Sequence, residues 1–133
     1  MTDYTFLVEE AFKALENAYA PYSNYQVGAC VLLKDKSLIY GANIENASFG
    51  GTSCAERNAV FSLYSQGYRK DDIEAIAIVS NGDYIAGPCG ICRQVLSELL
   101  NQDTPIILDN RKERMITNIE KLLPLQFGPK DVL

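Results

Sequence analysis

The chain has 133 residues, four cysteines, no histidine and a formal net charge of −5, with an isoelectric point of about 4.7. That length suits one domain, 1–133, with a core of its own. The acidic balance excludes the basic face that a phosphate backbone requires, so nucleic acid is not an expected partner, and the missing histidine removes every imidazole base, nucleophile or metal ligand.

Met1-Thr2-Asp3-Tyr4 has neither the positive start nor the apolar stretch of a signal peptide, and no apolar run reaches membrane-spanning length. A cytoplasmic location without membrane contact is expected. In that reducing compartment four cysteines, two of them the C-x-x-C pair Cys89 and Cys92, point to metal or redox chemistry rather than to structural disulfides.

Leu7, Ala11, Ala14, Leu15 and Ala18 recur at helical spacing between charged residues, predicting an amphipathic helix over 5–19 that Pro21 and Ser23-Asn24 end. Residues 27–33 and 38–43 read as an antiparallel hairpin joined by the turn Lys34-Asp35-Lys36-Ser37. Cys30 falls among Ala29, Val31 and Leu32, where a buried thiol acts as a small apolar residue. A loop over 44–52 delivers the chain to Ser53, the expected N-cap of a helix over 54–66 that Gly67 stops. Ala75-Ile76-Ala77-Ile78-Val79 has the composition of a strand covered on both faces, here over 73–80. After a loop over 81–87, Ile91, Val95 and Leu99 mark one stripe of a helix over 89–100. An apolar strand over 104–108 and a short one over 115–117 follow, with Arg111-Lys112-Glu113-Arg114 between them as a solvated turn. The stretch 122–133, with Pro124, Gly128 and Pro129, reads as an irregular tail. Strand, helix and strand over 73–108 make a βαβ unit with parallel strands and a right-handed crossover, so the fold class is α/β, a mixed sheet between helices.

Two stretches concentrate the reactive groups. Thr52-Ser53-Cys54-Ala55-Glu56-Arg57 sets a thiol two positions from a carboxyl in one first helical turn, and Pro88-Cys89-Gly90-Ile91-Cys92-Arg93-Gln94 sets two thiols on one side of the next. Functional loops of open α/β sheets lie beyond the carboxyl ends of the strands, where helices begin, so the two helix starts are expected to face one spot. Their unpaired amides favour thiolate over thiol. Three thiolates leave the fourth tetrahedral position of a zinc ion open, as in a catalytic rather than a structural site. Their surplus negative charge weakens the ion as a Lewis acid, and Arg57 first, with Arg93 and the two helix ends beside it, is placed to offset it. Glu56, within one water of such a metal, is placed to take a proton and return it to a substrate. Two other uses stand beside this one: a structural zinc module with Cys30 as fourth ligand, and a thioredoxin-like redox pair at Cys89 and Cys92, which leaves Cys54 and Glu56 without a task.

C-x-E followed by P-C-x-x-C is the signature of the zinc-dependent deaminases, and over nearly its whole length the chain resembles the small homotetrameric cytidine deaminases. The resemblance rests on Ala20-Pro21-Tyr22-Ser23, Gln26-Val27-Gly28-Ala29, Asn43-Ile44-Glu45-Asn46-Ala47, Cys54-Ala55-Glu56-Arg57 and Pro88-Cys89-Gly90-Ile91-Cys92-Arg93-Gln94. It implies a three-layer α/β/α fold on a mixed five-stranded sheet, Zn2+ on Cys54, Cys89 and Cys92, and Glu56 as proton shuttle. The implied reaction is hydrolytic deamination of cytidine and 2'-deoxycytidine to uridine and 2'-deoxyuridine, with release of ammonia, in pyrimidine salvage. It further implies that Asn43 and Glu45 hold ribose hydroxyls, that the Ala55 amide meets the pyrimidine O2, and that Phe127 reaches into a neighbouring subunit's site in a homotetramer. Tyr25 stands where the family usually has a phenylalanine against the base, and Phe49 where a tyrosine is common. Blasticidin-type and polynucleotide-editing deaminases share the zinc signature, but the acidic balance and small size argue against a polynucleotide, and Asn43-Ile44-Glu45-Asn46 favours a free nucleoside.

Overall fold

The inner strands are apolar at nearly every position because helices cover both faces of the sheet. In the computed structural model, which describes residues 3–133, β1 (Val27–Leu33) and β3 (Ile73–Ser80) are buried along almost their whole length. The expectation that the chain opens without a signal segment lies, for Met1 and Thr2, outside the described residues. β1 pairs antiparallel with β2 (Leu38–Ala42) on one side and with β3 on the other, β3 runs parallel to β4 (Ile106–Asp109), and β4 pairs antiparallel with β5 (Arg114–Thr117). The result is a mixed five-stranded sheet in the order β2-β1-β3-β4-β5. β3, α3 (Gly90–Leu99) and β4 form the expected βαβ unit.

Alternation along the strands splits the core in two. Cys30 and Leu32 of β1 pack with Leu7, Val8, Ala11 and Leu15 of α1 (Thr5–Leu15). Ala29, Val31 and Leu33 pack with Ala59, Val60 and Leu63 of α2 (Ala55–Ser65) and with Leu96 of α3. Helix, sheet and helix are thus the three layers expected. Among the described residues, no helix is long and apolar enough to cross a membrane.

Two glycines let these layers close. A Cβ on Gly28 would lie 2.2 Å from the Ala11 carbonyl oxygen of α1, and one on Gly41 would lie 2.3 Å from the Ala55 carbonyl oxygen of α2. The second contact presses the first turn of α2 directly onto β2. At its other end α2 stops as expected, at Gly67 with a φ of 96°.

The larger differences from expectation fall in four places. α1 ends at Leu15 in tight turns, because Tyr19 leaves the helix to bond Asn43 and Glu45: its N–H donates to the Asn43 carbonyl at 2.9 Å and its carbonyl accepts from Glu45 N at 2.8 Å. β4 starts at Ile106 rather than 104, since Pro105 has no N–H for the ladder. The Arg111-to-Arg114 stretch is more than a solvated turn. Arg111 pairs with Glu9 and stacks over Phe12 with 3.8 Å to the ring centroid, Lys112 pairs with Asp83 at 3.1 Å, and Arg114 Nε donates to Asp109 at 2.9 Å. The tail contains α4 (Ile119–Leu122), whose cap Asn118 accepts from Lys121 N at 3.0 Å, and a 3₁₀ turn at Pro129–Asp131.

Gly41→Ala should destabilise the protein by about 1–3 kcal/mol, the usual cost of forcing an extra carbon into a filled space. Gly50→Ala, where an added Cβ meets nothing within 4 Å, should leave stability unchanged. Urea unfolding of the two variants checks the contrast.

Candidate active site

α2 and α3 each open on a cysteine. Cys54 is the N-cap of α2 and Cys89 that of α3, so each helix starts one residue later than expected. Ser53 does not cap α2: its hydroxyl donates to Asn58 Oδ1 at 2.7 Å, while its backbone exchanges two hydrogen bonds with Ile44, at 2.9 and 3.0 Å. Cys92 follows in the first turn of α3 and is fully buried. The three Sγ atoms lie within 4.8 Å of one another, with Cys54 and Cys89 3.8 Å apart. Zinc bonded to sulfur at about 2.3 Å in a tetrahedral array sets its sulfurs about 3.8 Å apart, so this triangle fits the ion with little movement. Cys30 lies instead in the α1-facing half of the core, its thiol pushed up to about 12 by burial, and the four-cysteine alternative therefore loses its fourth ligand.

The thiols do not share charge equally. The Cys92 thiol, then Arg57 and Cys89, hold Cys54 down at about 5. Arg57 Nη2 donates to Cys54 Sγ at 3.3 Å. Cys92 moves the other way, raised by the Cys54 thiolate it faces and by burial. One sulfur thus carries negative charge while its neighbour keeps a proton until a cation displaces it. Contact with Cys54 in turn holds the Arg57 guanidinium more firmly in its charged form. Glu56 is only 4% exposed, and burial, with the Cys54 charge added, pushes its carboxyl above the ordinary carboxylate range.

A cavity of about 330 Å³ is lined by Cys54, Ala55, Glu56 and Cys89 together with Tyr25, Asn43 and Glu45. Asn43 bridges two backbone groups, accepting from Val27 N at 2.9 Å and donating to the Tyr25 carbonyl at 2.8 Å. Glu45 Oε1 accepts from Tyr22 N and Ser23 N at 3.0 and 3.1 Å, and Oε2 accepts from the Ser23 hydroxyl, which holds this carboxyl below its usual range. The Ala55 amide belongs to the first turn of α2, where amides have no carbonyl one turn earlier to bond.

Phe49 and Phe127 are not in this lining. They are 79% and 61% exposed; Phe49 meets Tyr22 edge-on with ring centroids 6.5 Å apart, and the Phe127 carbonyl accepts from Gln94 Nε2 at 2.8 Å. Arg93 gives its donors to carbonyls: Nε to Pro88 at 2.7 Å and Nη1 to Leu122 at 2.8 Å. Sequence reasoning missed Ser80 and Asp109, both buried and both in the cavity wall. The signal was present, since each is the polar residue that closes an apolar strand at its carboxyl end, where α/β sheets carry their sites.

An α/β sandwich with three thiols and a buried carboxyl gathered at two helix starts defines a metal-centred hydrolytic site rather than a disulfide-exchange pair, because a redox C-x-x-C uses neither Cys54 nor Glu56. Residues 1–107 match the family described as cytidine and deoxycytidylate deaminase zinc-binding region. The chain belongs to this family, and its clustered Cys54, Cys89 and Cys92 suit Zn2+. A cytidine deaminase of Halalkalibacterium halodurans is 48% identical over 131 residues, 98% of each chain, and one of Mycobacterium tuberculosis is 37% identical over 132 residues, 98% of this chain and 93% of that one. The crystal structure of a cytidine deaminase from Burkholderia pseudomallei superposes with a TM-score of 0.89 at 43% identity, covering 96% of this chain and all of that one.

Zinc retention should follow the Cys54 thiolate. That thiolate is favoured by Cys92, Arg57 and Cys89, so protons compete less with the metal at this sulfur than at Cys92, and the competition grows as the pH falls. Arg57→Ala removes one of the contacts that favour the Cys54 thiolate, so its pKa rises and half of the zinc should be lost at a higher pH than in the wild type. Metal analysis after dialysis at stepped pH reads this directly.

Proposed function

We propose that the protein is a single deaminase domain over 1–133 that hydrolyses cytidine and 2'-deoxycytidine to uridine and 2'-deoxyuridine, releasing ammonia, as a cytoplasmic enzyme of pyrimidine salvage. The observation that carries this is the burial of Glu56 beside the Cys54, Cys89 and Cys92 triangle, in a cavity that also offers Asn43 and Glu45. Cys54, Cys89 and Cys92 would hold zinc, whose Lewis acidity would make a water acidic enough to be a nucleophile near neutral pH.

The chain's own groups do the rest. Asn43 and Glu45 are suited to the ribose hydroxyls: each is already fixed by backbone donors or acceptors and keeps capacity for another bond. The Ala55 amide, unpaired at the helix start, is suited to donate to the pyrimidine O2. Tyr25 is suited to lie against the base. With the ring so placed, Glu56 takes a proton from the attacking water as the C4–O bond forms and delivers it to N3. It then carries the second proton to the exocyclic amine as the C4–N bond breaks. A carboxyl raised by burial suits this exchange, since it neither holds nor sheds its proton too strongly. Arg57 offsets the charge of three thiolates.

Phe49 and Phe127 have the exposure expected of side chains completed by another copy, and we assign Phe127 to a neighbouring subunit's site in a homotetramer. A small nucleoside is the only partner besides the other subunits; no membrane or nucleic acid is involved.

Glu56→Gln should retain one zinc per chain and lose about 10²–10⁴-fold in kcat for ammonia release from cytidine; an unimpaired variant overturns the proton role, and zinc-loaded wild type inactive on both nucleosides overturns the substrate. Light scattering with parallel assays should find activity only in the tetramer, whereas a fully active monomer would contradict the role of Phe127.

A further inference from the structure

We infer that Arg93 is a positioning residue for the metal site, clipping the peptide just before Cys89 to the end of α4 so that a zinc ligand and the adjoining cavity wall share one fixed support. The inference rests on the reading of Cys89 as a zinc ligand and of the cavity as the nucleoside site. Arg93 lies one helical turn after Cys89, and its backbone N–H donates to the Cys89 carbonyl at 2.8 Å. Its side chain then turns back to the loop it follows, where Nε donates to the Pro88 carbonyl at 2.7 Å while Nη1 donates to the Leu122 carbonyl at 2.8 Å. Gly87 lies against the same guanidinium, for a Cβ on it would sit 2.6 Å from Nη2. Both Gly87 and Cys89 line the cavity.

The far end of the clip is anchored in the core. α4 is rooted in the core by Ile119, which is fully buried, and Asn118 caps its first turn. The near end, between β3 and α3, has no strand or helix of its own, so its carbonyls keep their places only where something fixed holds them. A guanidinium suits this task because its planar fork bonds two carbonyls at once, which a lysine ammonium on a flexible stem does less well. The next residue repeats the pattern, since Gln94 Nε2 donates to the Phe127 carbonyl. Consecutive residues of the second cysteine motif therefore fasten α3 to the C-terminal segment.

The test is a double-mutant cycle on the zinc-loaded protein, read by the rate of zinc transfer to a chromogenic chelator and by KM and kcat for cytidine. Gly87→Ala pushes the guanidinium aside, and Arg93→Ala removes it. Each should release zinc about tenfold faster and raise KM more than it lowers kcat. The double variant should be no faster than Arg93→Ala alone, because the added methyl then meets no side chain. Arg93→Lys should fall between wild type and Arg93→Ala. Should Arg93→Ala fail to fold, Arg93→Gln, whose amide ends short of Gly87, takes its place in the cycle. A Gly87→Ala protein that holds zinc like the wild type, or two effects that multiply in full, overturns the inference. A wild type that binds no zinc or deaminates no cytidine overturns the proposed function instead.

Discussion

The first turn of α2 lies so close to β2 that a methyl on Gly41 would meet the Ala55 carbonyl oxygen at 2.3 Å and the Ala59 amide nitrogen at 2.6 Å. This contact sets the depth of the turn that carries Cys54, Ala55, Glu56 and Arg57. Strand directions do the rest. β2 and β3 are both antiparallel to β1, so they run the same way, and their carboxyl ends lie at one edge of the sheet. α2 follows β2 and α3 follows β3, which brings two helix starts, each with unpaired amides, to one place.

Burial and charge oppose each other there. Apolar packing beneath α2 buries Glu56 and raises its carboxyl toward neutrality. The same crowding would raise every thiol, yet Cys54 goes the other way because sulfur neighbours and Arg57 favour its thiolate. A carboxyl that can hold a proton beside sulfurs ready to bind a cation is the combination a hydrolytic metal site needs. Moving Glu56 to the surface would lose the first property, and removing Arg57 would weaken the second.

The remaining lining is held in place before any ligand arrives. Asn43 joins the end of β2 to the start of β1, and Glu45 gathers two backbone amides and the Ser23 hydroxyl. Groups so bonded are oriented in advance, and a polar site on a loop gains selectivity from that preorganisation. Arg93 works in the same way on the opposite loop, from the outside.

Much of this was legible in the chain. The apolar runs at 27–33 and 73–80 marked buried strands correctly to the residue, because a strand covered on both faces is apolar at nearly every position. Cys54, Cys89 and Cys92 stood out because spacing within a helical turn is a local property. Other features were not local. α1 ends at Leu15 although its periodicity continues, since bonds to Asn43 and Glu45 claim Tyr19, and the partners of Arg111 to Arg114 come from α1, a loop and β4. The sequence by itself determined which residues could hold a metal and move a proton. Only the tertiary structure decided that they meet, that Ser80 and Asp109 join them, and that Arg93 serves a loop rather than the sulfurs, because those depend on strand direction and on contacts between residues far apart in the chain.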